Sequence, residues 1–325
     1  MDELLKIKDL HVEFQSGGRF LPAIDGLSLE VHKHEAVGIV GESGSGKSVT
    51  SLAVMRLLPE EGCRVSGEID FEGRDLLQLP EKEMENVRGN RIAMIFQEPM
   101  TSLNPVQTCG RQIAESILLH TKATKKEAGD RALELLRLCG IPNPEQRMKE
   151  YPHQMSGGMR QRVMIAVALA CDPVLLIADE PTTALDVTIQ AQIMQLLRDI
   201  RAEKDMSVIL ITHDLGIVSD FCDRVAVVYT GEVMEIAPTR QLFSEPLHPY
   251  TEGLISALPQ LGQAKGKLPT IEGVVPDAGE MPKGCRFNPR CKYATDKCRA
   301  ENPPLTELPD GRCVRCFYAK GVEKA

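Results

Sequence analysis

Glycines, a lysine and a serine stand at a chemically informative spacing near the N-terminus. Residues 41–48 read GESGSGKS and fit the pattern G-x-x-x-x-G-K-[ST]. Glycines at this spacing let the backbone wrap around a polyphosphate, so that N–H groups and the positive end of a following helix point at the anion. Lys47 would reach the β- and γ-phosphates, and Ser48 would coordinate Mg²⁺. The predicted ATP contacts in this loop are Gly41, Ser43, Gly44, Ser45, Gly46, Lys47, Ser48 and Val49.

The flanking sequence supports this prediction. Residues 36–40 are a short apolar run typical of a buried parallel strand, and residues 49–58 have the pattern of a helix. A strand before the loop and a helix after it are the context that a phosphate-binding loop requires.

Two carboxylates follow a second apolar run, residues 174–178. Asp179, at the end of the predicted strand, can hold Mg²⁺ together with Ser48, either directly or through water. Glu180 is then placed to polarise a water molecule for in-line attack on the γ-phosphate. In isolation the two acids could simply cap a strand, but the phosphate loop upstream favours the hydrolytic interpretation.

Composition excludes several classes of protein. The 325 residues carry a net charge of −8, which argues against general nucleic-acid binding, so no nucleic-acid partner is expected. The longest apolar stretch, residues 163–170, is far shorter than the ~20 residues that span a bilayer. The N-terminus lacks a signal-peptide pattern. We therefore expect a chain that is soluble and cytoplasmic by itself.

The order of predicted elements indicates an α/β fold. Residues 4–40 predict an antiparallel layer of short strands, and residues 105–171 predict a helical subdomain. Strands at 174–178, 208–212 and 225–229, with a helix over 188–202, predict a parallel sheet. Beyond Pro238 prolines become frequent, so we expect an ATPase domain over 1–244 and a small appended module over 245–325.

Four further segments occur in a familiar order. They are FQEP at 96–99, MSGGMRQR at 155–162, ALD at 184–186 and ITHD at 211–214. With the two phosphate motifs they resemble the Q-loop, signature motif, D-loop and switch histidine of the ATPase subunit of ABC transporters, over about residues 4–240. The resemblance implies a P-loop ABC ATPase with a parallel core sheet, an antiparallel β layer and a helical subdomain.

The resemblance also implies catalytic roles. Gln97 would contact Mg²⁺ or the attacking water and couple the site to a membrane partner. His213 would hydrogen-bond the γ-phosphate and hold the water. The implied catalytic residues are therefore Glu180, His213, Lys47 and Gln97. Phe14 lies at the spacing at which the family stacks adenine on an aromatic ring, with Phe20 as the alternative.

Other residues would act on a second subunit. The signature residues implied to meet the ATP held by that subunit are Ser156, Gly157 and Gly158. Asp186 would shape the dimer contact near the opposing site. Met155 and Met159 stand where the family has Leu and Gln.

Cysteines crowd into the tail, which in a cytosolic chain favours metal binding over disulfides. The tail also resembles the C-terminal extension of dipeptide and oligopeptide importer ATPases, on residues 246–259 and 284–291, as does the Q-loop region at 97–105. In that subfamily the cysteines resemble a [4Fe–4S] site, which here would use Cys285, Cys291, Cys298 and Cys316. Cys313 forms a Cys-x-x-Cys pair with Cys316 that also fits zinc, and free thiols are a third alternative.

These resemblances predict an ATP-hydrolysing motor subunit, peripheral at the cytoplasmic face of the membrane, that drives uptake of di- or oligopeptides. Its partners would be a second, related ABC ATPase subunit, two transmembrane permease subunits and an extracytoplasmic substrate-binding protein. Two alternatives stay open: a motor for another solute, such as nickel or an oligosaccharide, and a soluble ABC ATPase of DNA repair or translation. The cysteine tail could also regulate turnover by sensing iron or oxygen.

Overall fold

A computed structural model describes residues 2–183, 185–258 and 270–319. The chain divides into two compact units. The first unit comprises Met1–Leu77 and Thr212–Ala325, and the second comprises Gln78–Ile211.

Strands and helices are numbered in chain order. The strands are β1 (Glu3–Ser16), β2 (Arg19–His32), β3 (Ala36–Val40), β4 (Cys63–Phe71), β5 (Arg74–Asp75), β6 (Ile92–Ile95), β7 (Leu175–Asp179), β8 (Ser207–Ile211), β9 (Arg224–Tyr229), β10 (Glu232–Pro238), β11 (Thr306–Glu307) and β12 (Cys313–Val314).

The helices are α1 (Lys47–Val54), α2 (Glu81–Val87), α3 (Pro99–Ser102), α4 (Cys109–His120), α5 (Lys125–Leu138), α6 (Pro144–Arg147), α7 (Gly157–Ala168), α8 (Val187–Lys204), α9 (Leu215–Phe221), α10 (Thr239–Ser244), α11 (Pro249–Ser256) and α12 (Asp296–Ala300). Two single 3₁₀ turns, Pro152–Gln154 and Asn288–Arg290, complete the helical structure of the described residues.

An antiparallel sheet with the order β2-β1-β4-β5 lies in the first unit. Apolar side chains of β1 that recur along the strand, such as Leu5, Ile7 and Val12, are almost fully buried. This alternation is what a sheet with one face on a core requires. The predicted antiparallel layer is present, but β1 and β2 have 14 residues each and are not short, and residues 36–40 belong to another sheet.

A mixed group of strands in the same unit runs in the order β11-β12-β10-β9-β3. Strands β3 and β9 are parallel, as predicted, whereas β9 pairs with β10 and β10 with β12 in antiparallel fashion. Thr230 and Gly231 connect β9 to β10 with φ of 44° and 83°, the left-handed pair that a two-residue hairpin needs. The sheet is therefore less uniformly parallel than the sequence predicted.

The second unit contains the parallel strands β6, β7 and β8, with β7 in the middle. All five residues of β7 are buried, as expected for a strand covered on both faces. Helices α4, α5 and α7 pack on one another, and the predicted helix over 188–202 is present as α8. The predicted domain limits at 105–171 and 244/245 stay predictions.

Within residues 2–183, 185–258 and 270–319, no helix combines the length and the apolar character that crossing a membrane requires.

Candidate functional site

The phosphate loop leaves β3 at Val40 and ends where α1 begins at Lys47. A Cβ atom on Gly41 would lie 2.1 Å from the carbonyl oxygen of Val228, so only glycine fits there. Gly46 has φ of 95°, and a Cβ atom on it would lie 2.8 Å from the Ala23 carbonyl oxygen. The loop is thus held tightly against β9 and β2, which fixes the curvature of its backbone.

Lys47 brings a buried positive charge to this loop. Lys47 is only 6% exposed, and its Nζ donates to the carbonyl oxygens of Gly41 and Glu42, both at 2.9 Å. The Ser45 hydroxyl lies 3.4 Å from the same Nζ. A desolvated ammonium beside backbone N–H groups at the start of a helix attracts phosphate oxygens strongly.

The second unit carries the predicted carboxylates. Asp179 ends β7 and is 4% exposed. Glu180 Oε2 accepts hydrogen bonds from Gln97 Nε2 at 3.2 Å and from Thr183 Oγ1 at 2.7 Å. The structure therefore brings Gln97 and Glu180 together, although 83 residues separate them in sequence.

The backbone of Glu180 is in the left-handed region, with φ of 46°. A non-glycine residue seldom adopts this conformation, and strain of this kind concentrates at functional positions. The N–H of Glu180 donates to the Ile211 carbonyl oxygen at 2.8 Å, which holds the residue at the end of the parallel sheet. The carboxylate is thus directed by its backbone as well as by its side-chain partners.

The signature segment also lies in the second unit and starts α7. Ser156 is the N-cap residue, and its hydroxyl accepts a hydrogen bond from the N–H of Met159 at 3.4 Å. A Cβ atom on Gly158 would lie 2.8 Å from Ile189 Cγ2 at the start of α8, so glycine permits this close approach. Met155 is 3% exposed, and Cys109 Sγ lies 3.7 Å from its Sδ. Met155, which stands where the family has Leu, is therefore a core side chain.

Asp186 caps α8, because its Oδ1 accepts from the N–H of Ile189 at 3.0 Å. The first residue of the predicted D-loop, Ala184, lies outside the described residues. In the first unit, His213 is exposed and precedes the N-cap of α9. The neighbouring Thr212 N–H donates to the Ile39 carbonyl oxygen at 3.3 Å. His213 therefore stands beside the strand that leads into the phosphate loop.

The two candidate adenine-stacking rings lie on the β1–β2 hairpin and are half-buried. Phe14 pairs with Leu21 in the strand register. The guanidinium carbon of Arg64 lies 3.6 Å from the centroid of the Phe20 ring, so one face of Phe20 is already covered. This favours Phe14 as the stacking residue.

Sequence reasoning missed a set of contacts from the tail to the phosphate loop. The Tyr250 hydroxyl accepts a hydrogen bond from the N–H of Glu42 at 3.0 Å. The Arg290 guanidinium contacts the Glu42 carboxylate through Nη1 at 2.5 Å and Nη2 at 3.0 Å. Both residues fall in segments noted for their resemblance to peptide importers, but no spacing or residue type in either segment points to the loop.

Comparisons with known proteins show the family of the chain. The sequence profile of the family described as "ABC transporter" matches residues 24–183, and the profile described as "Oligopeptide/dipeptide transporter, C-terminal region" matches residues 234–298. The chain is 52% identical to the oligopeptide transport ATP-binding protein AppD of Bacillus subtilis (strain 168), over the full length of both. It is 50% identical to the dipeptide transport ATP-binding protein DppD of Escherichia coli (strain K12), covering 97% of this chain and 96% of that protein.

The chain belongs to the ATP-binding proteins of ABC transporters. As an ABC ATPase it binds and hydrolyses ATP, so the predicted fold family and enzyme class are confirmed. Its structure is similar to the dimeric structure of a post-hydrolysis state of the ATP-binding cassette MJ0796 bound to ADP and Pi. That likeness has a TM-score of 0.66 at 29% identity and covers 73% of this chain and 99% of that one.

Four cysteines of this ABC ATPase line one cavity of about 460 Å³ in the first unit. They are Cys285, Cys291, Cys298 and Cys316. Cys313 does not line the cavity; it lies on β12, where it pairs with Ile236 of β10. All ten cysteines lie in the described residues as free thiols. The structure therefore separates Cys313 from the four cysteines that the sequence analysis grouped.

Burial favours the protonated form of three of these thiols. Burial raises the pKa of Cys285 to about 11, and it also raises the pKa of Cys291 and of Cys316. Binding a metal would therefore release protons. Over the described part of the chain, no group of three or more His, Cys, Asp or Glu side chains is arranged so that it could hold a metal ion.

Proposed function

We propose that this ABC ATPase is the motor subunit of an importer of di- or oligopeptides. The observation that carries the proposal is the match of residues 234–298 to the C-terminal region of oligopeptide/dipeptide transporters. The phosphate motifs cannot distinguish cargoes, because ABC ATPases of every kind need them. The full-length relatives, which are named as oligopeptide and dipeptide transport proteins, support the same cargo.

ATP hydrolysis would use the residues that the sequence motifs identify. Lys47 offers a desolvated positive charge to the β- and γ-phosphates, and Ser48 and Asp179, with Gln97, would hold Mg²⁺, which would neutralise phosphate charge. Glu180 accepts a proton from the water whose oxygen bonds to the γ-phosphorus, while the bond from that phosphorus to the ADP oxygen breaks. His213 orients the γ-phosphate and the water, and Phe14 stacks on adenine.

A second ATPase subunit completes the phosphate site. Ser156, Gly157 and Gly158 bind the ATP held by that partner, and Asp186 forms part of the contact. Support comes from Ser156, which caps a helix of twelve residues whose N-terminal dipole favours anions. A related but different chain is the proposed partner. Closure and opening of the pair would drive transport.

Peptide import assigns the subunit a place in a larger assembly. Two permease subunits carry the membrane path, and an extracytoplasmic binding protein delivers the peptide. In this assembly the ATPase is a peripheral subunit at the cytoplasmic face.

A [4Fe–4S] cluster held by Cys285, Cys291, Cys298 and Cys316 is the proposed occupant of the cysteine cavity. Four thiols on one cavity are the donor set such clusters use. A single zinc ion would need four sulfur atoms about 2.3 Å from one point. The described side chains form no group that could hold a metal ion, so the proposal of a cluster rests on the donor chemistry of the four thiols that share the cavity. The cluster would join the loop segments of the tail, and the four thiols would release their protons to the solvent on binding it.

The test of the cargo is uptake in the organism that encodes the protein. Deleting its gene should reduce uptake of labelled di- and oligopeptides, and the wild-type gene should restore uptake whereas a Glu180→Gln gene should not. Unchanged peptide uptake with reduced nickel or oligosaccharide uptake would assign another cargo. No change in any uptake, with ATPase activity in the purified chain, would point to the soluble class.

A further inference from the structure

Arg290 is a buried cation directed at the phosphate loop. Its side chain is 3% exposed. The guanidinium forms a two-pronged pair with the Glu42 carboxylate, through Nη1 to Oε2 at 2.5 Å and Nη2 to Oε1 at 3.0 Å. Its other donors reach the carbonyl oxygens of Ile271 and Glu272, at 3.4 Å and 3.1 Å. Nη1 also donates to the Tyr229 hydroxyl at 3.4 Å, so every direction of the guanidinium fork is fixed, as a planar five-donor group allows.

Glu42 is the second residue of the phosphate loop, and the tail holds it at two points. Arg290 binds the Glu42 side chain, and the Tyr250 hydroxyl accepts a hydrogen bond from the Glu42 backbone N–H at 3.0 Å. The carbonyl oxygen of Glu42 in turn accepts from Lys47 Nζ at 2.9 Å. A rotation of Glu42 would therefore move one of the groups that position the Lys47 ammonium.

Rigid aromatic packing supports the two tail residues. The ring centroids of Tyr229 and Tyr250 are 4.7 Å apart, and Phe287 packs on both rings at 5.4 Å and 5.3 Å. All three side chains belong to residues that are 2% exposed or less. The Arg290 guanidinium also lies 5.8 Å from the Tyr229 ring centroid. The geometry of the Arg290–Glu42 pair is thus set by the core.

A neighbouring ion pair shows what an ordinary surface contact looks like on the same segment. Lys292 Nζ lies 2.9 Å from Glu252 Oε1, but the lysine side chain is 64% exposed and that of Glu252 is 40% exposed. Exposed ion pairs of this kind contribute little to the stability of the fold, because water screens the two charges. Arg290 differs in burial, in its two-pronged geometry and in its target.

We propose that Arg290 is a positioning residue for nucleotide binding, which fixes the phosphate loop through Glu42. This inference rests on the ATP-binding function of the chain and extends that function to a residue 248 positions beyond the loop. Arg290 does not touch ATP in this proposal. It acts by holding the backbone that presents Lys47 and the loop N–H groups to the phosphates.

The test measures MgATP affinity and thermal stability of the full chain, purified anaerobically, with iron content determined for every variant. We expect Arg290→Met to raise the dissociation constant for MgATP roughly tenfold, because the buried guanidinium that holds the Glu42 carboxylate is lost. Arg290→Lys should raise the dissociation constant less than Arg290→Met does, since lysine keeps the positive charge but cannot form the two-pronged contact. The matched control, Lys292→Met, removes a cation two residues away and should bind as the wild type does.

Substituting Glu42 tests the same contact from its other partner. Glu42→Gln should weaken binding by a similar factor, and the double variant Arg290→Met/Glu42→Gln should be no weaker than the worse single variant, because both remove the same contact. Glu42 is more exposed, so Glu42→Gln provides the test if Arg290→Met does not fold. Variants that melt earlier but bind MgATP with the wild-type constant would overturn the proposal. A wild-type chain that fails to bind MgATP would instead contradict the nucleotide function itself.

Discussion

The side-chain amide of Gln97 donates a hydrogen bond to the Glu180 carboxylate across 3.2 Å. The two residues come from the loop after β6 and from the end of β7, which are neighbouring parallel strands. Because parallel strands end at the same edge of a sheet, such residues meet although they are far apart in sequence. The acceptor, Oε2, is shared with the Thr183 hydroxyl at 2.7 Å. Two neutral donors thus orient the proposed base.

Replacing the base should separate binding from turnover. Glu180→Gln should lower the ATP hydrolysis rate by on the order of 10²-fold to 10⁴-fold, because the amide cannot accept the proton of the attacking water. The dissociation constant for MgATP should change little, since size and most hydrogen bonds are kept. Steady-state phosphate release and equilibrium binding would check this, with Glu98→Gln, an exposed acid in the same segment as Gln97, as the control. A Glu180→Gln chain that hydrolyses ATP at the wild-type rate would remove Glu180 from the mechanism.

The tight fit of Gly41 predicts a steric defect. Gly41→Ala places a methyl group 2.1 Å from the Val228 carbonyl oxygen, so the loop must shift and ATP binding should be lost along with some thermal stability. Gly129→Ala is the contrasting change, because a Cβ atom there meets nothing within 4 Å and the position is inside α5. It should stabilise the chain by about 0.5–1 kcal/mol. Thermal melts with and without MgATP measure both effects. Equal melting temperatures of the two variants, with the same stabilisation by MgATP, would contradict the predicted steric defect at Gly41.

The role of the signature serine can be separated from helix capping. Ser156→Ala and Thr124→Ala each remove a side-chain acceptor from a helix N-terminus, and each should cost about 1 kcal/mol of stability. Only Ser156→Ala should also lower ATP turnover, because Thr124 caps α5 and belongs to no ATP motif. Melting temperatures and ATPase rates of the assembled subunits are the measurements. Equal ATPase rates in the two variants would mean that Ser156 serves only as a cap.

The cysteine cavity predicts which thiols retain metal. Cys298→Ser should lose most of the iron and acid-labile sulfide from anaerobically purified protein, because it removes one of the four cavity thiols. Cys313→Ser should keep both, since Cys313 lies on β12 away from the lining residues. Elemental analysis and the visible absorbance spectrum distinguish the cases. Zinc in place of iron, or equal loss in both variants, would contradict the proposed cluster.

Local features of the site could be predicted from the sequence, whereas its long-range contacts could not. The phosphate loop is contiguous, so its glycines, Lys47 and the flanking β3 and α1 are visible in one segment. Gln97 was assigned only through resemblance, since nothing near Phe96 indicates chemistry. The pairing of Arg290 with Glu42 spans 248 residues, and both residue types are common on surfaces. No periodicity marks an arginine that the fold buries.

The tail shows a second limit of sequence reasoning. Strands β11 and β12 have two residues each, too few for an alternating pattern to be recognised. Without β12 in view, the Cys-x-x-Cys spacing makes Cys313 and Cys316 look like one metal-binding pair. The strand pairing places Cys313 against β10, and only Cys316 lines the cavity.

The contacts of Glu42 also bear on the order in which the chain is made. Glu42 leaves the ribosome early, while its partners Tyr250 and Arg290 are synthesised 208 and 248 residues later. A nascent chain, or one that terminates before residue 290, has the complete phosphate-loop sequence but lacks the Arg290 contact that holds it. On the proposed role of Arg290, such a chain should bind MgATP more weakly than the full chain, so the affinity of the phosphate loop reaches its final value only when the tail has been translated and has folded.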